Sequence, residues 1–207
     1  MIKAIFFDYD GVLTTDKTGS LTTNRFLSEC TGIPYEAVRE AFRPHNAALN
    51  EGTKNYSEIW PDVCASLRRA LPRELLLAAF ESTPVNEEMF ALARELKERC
   101  SVGIITDNKK DRIELLRQHQ RLDDLFAPIV VSAEIHCTKT TAAIFEYALG
   151  CLEIRPEDSL FIDNSERNLL VPAALGMKTI CFDDEKNDVP DLASRIRPYL
   201  RCDKLAA

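Results

Sequence analysis

From Pro84 onward, short apolar runs alternate with helical stretches, and this rhythm narrows the possible folds more than any other feature of the chain. Val102-Gly103-Ile104-Ile105, Ile129-Val130-Val131, Leu160-Phe161-Ile162 and Thr179-Ile180-Cys181-Phe182 are too short for helices. Their apolar, largely β-branched or aromatic content marks strands buried on both faces. Between them lie amphipathic segments. Met89, Phe90, Leu92, Ala93 and Leu96 share one side of a helix that Asn86 caps, and Ile113, Leu115 and Leu116 mark a second. A third spans Ala142–Leu149, and a fourth ends near Gly176. Strand and helix in turn, with short connections, require a parallel sheet covered by helices on both faces. A fifth apolar run, Ile2 to Phe7, opens the chain and belongs to the same sheet.

Residues 21–82 interrupt that rhythm with helical signals alone. Phe26, Leu27 and Cys30 fall on one face, as do Val38, Ala41 and Phe42. Ser57 is placed to cap a helix that begins at Glu58-Ile59-Trp60, and Pro72 to open one carrying Leu75, Leu76, Ala79 and Phe80. The expected organisation is an α/β, Rossmann-like doubly wound core formed by residues 1–15 and 84–207, with a helical bundle inserted at 16–83. Arg201 to Ala207 read as a loosely held tail.

With 207 residues, 45% hydrophobic and 29% charged, the chain has the composition of an ordinary folded domain with an insertion. Its net charge of −7 offers no footprint for nucleic acid or an anionic membrane, so an anionic ligand must be drawn by local groups. No run approaches the roughly 18 apolar residues that span a bilayer. The N-terminus lacks the layout of a signal peptide. Seven scattered cysteines without a C-x-x-C pair fit reduced thiols in a cytoplasmic protein and give no zinc site. The sequence leaves monomer and dimer equally open.

The opening strand delivers Asp8 and Asp10, two residues apart, just before Gly11. Strand ends in α/β sheets are where ligand chemistry is placed. Two acids held this close suit a shared metal ion, or a division into nucleophile and acid/base. Thr106 ends the second core strand, where a hydroxyl and exposed main-chain N–H groups make an anion site. The three histidines offer no Ser-His-Asp or Cys-His arrangement. His45 and His119 read as helix and solvated residues, and His136 as a candidate for the rim of a pocket. Lys109-Lys110 and Arg68-Arg69 read as solvated helix surface.

The block Ile5-Phe6-Phe7-Asp8-Tyr9-Asp10-Gly11-Val12-Leu13 resembles the first motif of the haloacid dehalogenase (HAD) superfamily, an apolar strand followed by D-x-D-G-T/V-L. Thr106, Lys139 before a helix, and Phe161-Ile162-Asp163-Asn164 with Asn168 are similar to the motifs that follow, the last to a subgroup reading F-I-D-D-x-x-x-N. The insertion after the first strand resembles a C1-type cap in position and helical character. The resemblance implies a Mg²⁺-dependent phosphatase acting on a small phosphorylated metabolite, a sugar phosphate first. Asp8 would be the nucleophile and Asp10 the acid/base. Thr106 and Lys139 would hold the phosphoryl group beside Asp107. Asp8, Asp10, Asp163 and Asn164 would form the metal site. Three positions depart from the family pattern: Asp107 stands where Asn is common, Thr140 where Pro is usual, and Asn164 where the second Asp belongs. A phosphomutase of the β-phosphoglucomutase type and a non-catalytic binding protein that keeps the fold remain open alternatives. A dehalogenase is disfavoured, since the family's dehalogenases lack the acid that stands here as Asp10.

Overall fold

A computed structural model describes residues 2–200, so Cys202 and the expected tail from Arg201 lie outside the described residues. Five strands form one parallel sheet: β1 (Ala4–Phe7), β2 (Ser101–Thr106), β3 (Ile129–Val131), β4 (Ser159–Asp163) and β5 (Lys178–Cys181), in the order β3-β2-β1-β4-β5. Because side chains alternate along a strand, β1 divides between two cores. Ile5 and Phe7 join the cluster containing Ile104 and Ile162, whereas Ala4 and Phe6 join Ile105 and Phe161 on the opposite face. This accounts for the unbroken apolar runs in the sequence. β1 lies at the centre, and the chain proceeds outward first on one side and then on the other. The carboxyl ends of β1, β2 and β4 therefore meet at the topological switch point, where such sheets bind ligands.

The insertion consists of α1 (Gly19–Thr31), α2 (Tyr35–Phe42), the short α3 (Asn46–Asn50), α4 (Tyr56–Ser66) and α5 (Arg73–Glu81). These helices bury a cluster of their own around Leu27, Val38, Phe42, Ile59, Trp60 and Phe80. Tyr56 packs on Phe80 with ring centroids 4.9 Å apart. Helix α4 starts earlier than the sequence suggested. Asn55, not Ser57, is the cap, because Asn55 Oδ1 accepts from Glu58 N at 3.1 Å while Glu58 Oε2 accepts from Asn55 N at 2.7 Å.

The remaining helices cover the sheet. They are α6 (Glu87–Lys97), α7 (Lys110–His119), α8 (Ser132–Ile135), α9 (Ala143–Leu152), α10 (Glu166–Leu175) and α11 (Val189–Leu200). Residues of α6, α7 and α11 pack on the Ile5/Phe7 face, and those of α9 and α10 on the other. Helix α11, which no sequence signal marks, buries Leu192 and Ile196 and starts where Asp188 Oδ1 accepts from Asp191 N at 2.9 Å. Gly176 ends α10 with φ +98°, a conformation that favours glycine.

Contacts at both ends of the site fix the insertion to the core. Thr14 and Val85 form an antiparallel bridge where the chain leaves and re-enters the sheet domain. At the far side, Gly52 packs so tightly on the Ala133 carbonyl that a Cβ would overlap it, and Ser132 Oγ donates to Asn50 O at 2.8 Å. The insertion is thereby held over the strand ends. Among the described residues no helix is long and apolar enough to cross a membrane.

Candidate active site

Strand β1 stops at Phe7, and the backbone then makes a tight turn over Tyr9–Leu13, closed by Thr14 N donating to Tyr9 O at 3.1 Å, with non-helical backbone at Asp10 and Gly11. Gly11 makes this turn possible with φ +79°, and a Cβ there would overlap the Asn164 side chain. The strand pleat thus ends before Asp10, so the turn places both acids rather than two-residue alternation. Asp8 turns toward Lys139 and Asp10 toward Arg112, yet both line one cavity of about 500 Å³ beneath the insertion. Thr106, Asp107, Lys139 and Asn164 line the same cavity, together with Lys17, Ser20, Asn46 and Asn50 from the insertion side.

Lys139 is buried, and its Nζ lies 2.9 Å from Asp8 Oδ1 and 2.7 Å from Asp163 Oδ2. Asp8 Oδ1 also accepts from Tyr9 N at 2.7 Å, which leaves Oδ2 without a protein partner. Burial pushes the Asp8 carboxyl up to about 7; Lys139 pulls it back, while Asp163 and Asp10 add to the rise. For Lys139, burial works against the charge, but Asp8, Asp163 and Asp107 outweigh it and hold the amine above the usual lysine range. An ammonium has three donors. Two are committed to carboxylates, and the third remains for a ligand oxygen.

Asp163, expected among the metal ligands, is fully buried, and its carboxylate is occupied. Oδ1 accepts from Ser165 N at 2.8 Å and Asn168 Nδ2 at 3.1 Å, and Oδ2 from Lys139 and from Asn168 at 3.2 Å. It orients Lys139. Asn164 lies at the cavity wall, donating from Nδ2 to Asp184 Oδ2 at 3.2 Å. Among the described residues no three His, Cys, Asp or Glu side chains converge to hold a metal ion. Asp8, Asp10 and Asn164 line the cavity; the free Asp8 oxygen, the Asp10 main-chain carbonyl and the Asn164 amide oxygen are the groups that would hold a hard cation there. One charged and two neutral donors fit Mg²⁺ in kind, since that ion takes oxygen ligands and keeps several waters.

The second acid is held by a residue that the sequence did not single out. Arg112, fully buried on α7, grips Asp10 with Nη2–Oδ1 and Nη1–Oδ2 both at 2.9 Å. Asn108 Nδ2 donates to Asp10 Oδ2 at 2.8 Å. The same guanidinium donates to Asn108 Oδ1 at 3.0 Å and to Thr83 Oγ1 at 3.2 Å, and lies 5.6 Å from the Tyr9 ring centroid. Gly19, the first residue of α1, packs on it so closely that a Cβ would overlap the guanidinium. Burial disfavours the Arg112 charge, but Asp10 more than restores it. The fork occupies both carboxylate oxygens, and Oδ1, with one donor against two on Oδ2, is the freer to meet a reacting group.

Thr106 ends β2 without capping a helix; Lys109 holds the cap position of α7. Asp107 Oδ1 accepts from Lys139 N at 2.9 Å, and burial raises its pKa against the pull of Lys139. Lys109 departs from the expected solvated surface: it is buried, because α1 lies across it and Ser20 Oγ sits 3.4 Å from its Nζ. Lys110, its neighbour, is exposed. Burial lowers the Lys109 pKa to about 8, and Arg112 adds to the fall. None of the histidines reaches the cavity: His119 and His136 are exposed and His45 is half-buried. The free thiols Cys30, Cys64, Cys100, Cys137, Cys151 and Cys181 lie outside it as well.

Residues 2–176 match the haloacid dehalogenase-like hydrolase family, and the chain belongs to that family. Among curated proteins, it is 24% identical over 181 residues to a pyrophosphatase PpaX of Bacillus cereus, covering 86% of this chain and 82% of that protein. It is 24% identical over 213 residues to rat bifunctional epoxide hydrolase 2, covering 92% of this chain but 38% of that enzyme. Among solved structures, a HAD family enzyme, BT-2542 of Bacteroides thetaiotaomicron, superposes with a TM-score of 0.75 at 20% identity, covering 92% of this chain and 98% of that one. The same protein in complex with magnesium and inorganic phosphate gives 0.73, covering 87% and 94%.

Proposed function

We propose that this hydrolase is a Mg²⁺-dependent phosphatase that cleaves a small phosphoric monoester through an aspartyl-phosphate on Asp8. The observation that carries the reading is the buried Asp8–Lys139–Asp163 cluster at the sheet's switch point, which fixes one oxygen of Asp8 and leaves the other facing the cavity. The PpaX relatives and the structural neighbour with bound magnesium and phosphate support phosphoryl transfer. Within that class, the Phe161-Ile162-Asp163 signature with Asn168 supports a sugar phosphate as substrate.

Asp8 Oδ2 attacks phosphorus, and the bond to the leaving oxygen breaks. Asp10 delivers a proton to that oxygen and later takes one from the water that attacks the aspartyl-phosphate, releasing inorganic phosphate and free Asp8. The third Lys139 proton and the Thr106 hydroxyl bind phosphoryl oxygens, and their preset positions stabilise charge as it spreads over those atoms. Asp163 keeps Lys139 in place. Asp8, the Asp10 carbonyl and Asn164 would hold Mg²⁺, whose positive charge would offset that of the nucleophile and the phosphoryl group. Having one neutral amide in place of a second carboxylate lowers the expected metal affinity without abolishing it. The insertion, docked through Gly52 and Asn50, excludes bulk water and selects the leaving group.

Phosphate release from p-nitrophenyl phosphate, with and without Mg²⁺, tests this in wild type and Asp8→Asn. Metal-dependent turnover that disappears in the variant is expected. Turnover that survives in Asp8→Asn would overturn the covalent route.

A further inference from the structure

The phosphoryl end of the cavity is provided by the strand ends, but its insertion side carries polar groups that no step above uses. Lys109 is the most telling. Its side chain is buried, its Nζ has one long contact at 3.4 Å to Ser20 Oγ, and no acidic side chain among the described residues pairs with it. Buried lysines are ordinarily paired, because an ammonium removed from water needs compensation. Here the compensation is partial: Asp10 and Asp107 favour the ammonium through space, neither forms an ion pair with it, and the residue lines the cavity. Asn50 repeats the pattern: its Oδ1 is buried without a hydrogen-bond partner, while its main-chain carbonyl is held by Ser132. Asn46, one turn earlier on α3, lines the same wall.

Taken together, the geometry points to a leaving-group subsite built from Lys109, Ser20, Asn46 and Asn50, and we infer that the substrate's leaving group carries a second anionic group together with a hydrogen-bond donor. The inference rests on the phosphatase reading for which end of the ligand is which. An anion at Lys109 takes up the donors that Ser20 leaves unfilled. A hydroxyl or amine beside it donates to Asn50 Oδ1. The substrate class is a phosphoric monoester of a short hydroxylated chain or sugar that bears a carboxylate or a second phosphate. The chain's overall negative charge makes a buried local cation the means of attracting such a dianion or trianion. Burial lowers the Lys109 pKa to about 8, which leaves it mostly protonated near neutral pH.

The test uses matched pairs that differ only in the second anion: 2-phosphoglycolate against ethyl phosphate, and glucose 1,6-bisphosphate against glucose 1-phosphate. Binding to full-length Asp8→Asn in Mg²⁺ buffer is measured by calorimetry, so the result does not depend on turnover. The anionic member should bind about tenfold more tightly or better, the size of one charge-assisted hydrogen bond. In Asp8→Asn/Lys109→Gln the preference should fall toward unity, and in Asp8→Asn/Lys109→Arg it should partly survive. Preference in the first pair alone identifies a carboxylate, and preference in the second alone a phosphate; either supports the subsite. Equal binding within both pairs, or a preference that Lys109→Gln leaves intact, overturns it. Absence of turnover by wild type, with the binding preference present, would count against the phosphatase reading and not against the subsite.

Discussion

Replacing Arg112 with Met should reveal how the molecule holds its second acid. The side chain is fully buried, and its loss removes two 2.9 Å hydrogen bonds from Asp10, one from Asn108 and one from Thr83. Methionine fills similar volume, so the effect is electrostatic more than steric. Removing one partner of a buried ion pair costs about 3–5 kcal/mol, because the other charge is left uncompensated. The Asp10 side chain is 15% exposed and keeps its Asn108 contact, which places the cost at the lower end, about 3 kcal/mol. For a chain of this size that lowers the melting temperature by roughly 6–12 °C. Urea unfolding followed by circular dichroism should show a lower midpoint at unchanged slope. Asp10→Asn alone should cost a similar amount by leaving the guanidinium unpaired. The double variant should be less unstable than the sum of the two by at least about 2 kcal/mol. A loss below about 1 kcal/mol in Arg112→Met, or additive single variants, would refute the buried pair as described.

Three further outcomes are expected. Asp163→Asn sets an amide N–H against Lys139 or Ser165 N. Thermal unfolding should show a loss of about 3 kcal/mol, and phosphatase turnover should fall with it. Gly11→Ala meets both a positive φ and the Asn164 side chain, so stability should drop by about 1–3 kcal/mol while kcat falls more steeply, read from urea unfolding and steady-state kinetics. The pH dependence of ligand choice follows Lys109. Its folded pKa, about 8, lies below the ordinary lysine value, so the ammonium is present at neutral pH and lost as pH rises through about 8. Affinity for 2-phosphoglycolate relative to ethyl phosphate should therefore decline above that pH. Through the same linkage, folding stability contributed by Lys109 rises between about 8 and the unfolded value, where the unfolded chain binds the extra proton.

The parts of this molecule that were legible in the sequence are those written locally. The strands showed as apolar runs because both faces of the sheet are covered; Asp8 and Thr106 stood out because each follows or ends such a run, and Asp163 because the run before it resembles a family motif. The Asn86 and Gly176 boundaries were legible for the same reason, through cap chemistry confined to a few residues. Arg112 was not, because a charged residue on an amphipathic helix ordinarily faces water. Its burial depends on Gly19 and Thr83 closing over it from the two ends of the insertion, contacts separated by many residues in the chain. Lys109 was hidden likewise in a Lys-Lys pair of which α1 covers one member. Helix α11 escaped notice because Pro190 and Pro198 break its pattern, and its apolar face has meaning only against the sheet that it covers.

Covalent catalysis by Asp8 would leave a phosphorylated intermediate that can be trapped. Wild type mixed with excess phosphomonoester and Mg²⁺, quenched in acid within a turnover and mapped by tandem mass spectrometry, should carry a hydroxylamine-labile phosphate on Asp8. Steady release of phosphate with no label on Asp8, or with the label on another residue, would contradict the mechanism.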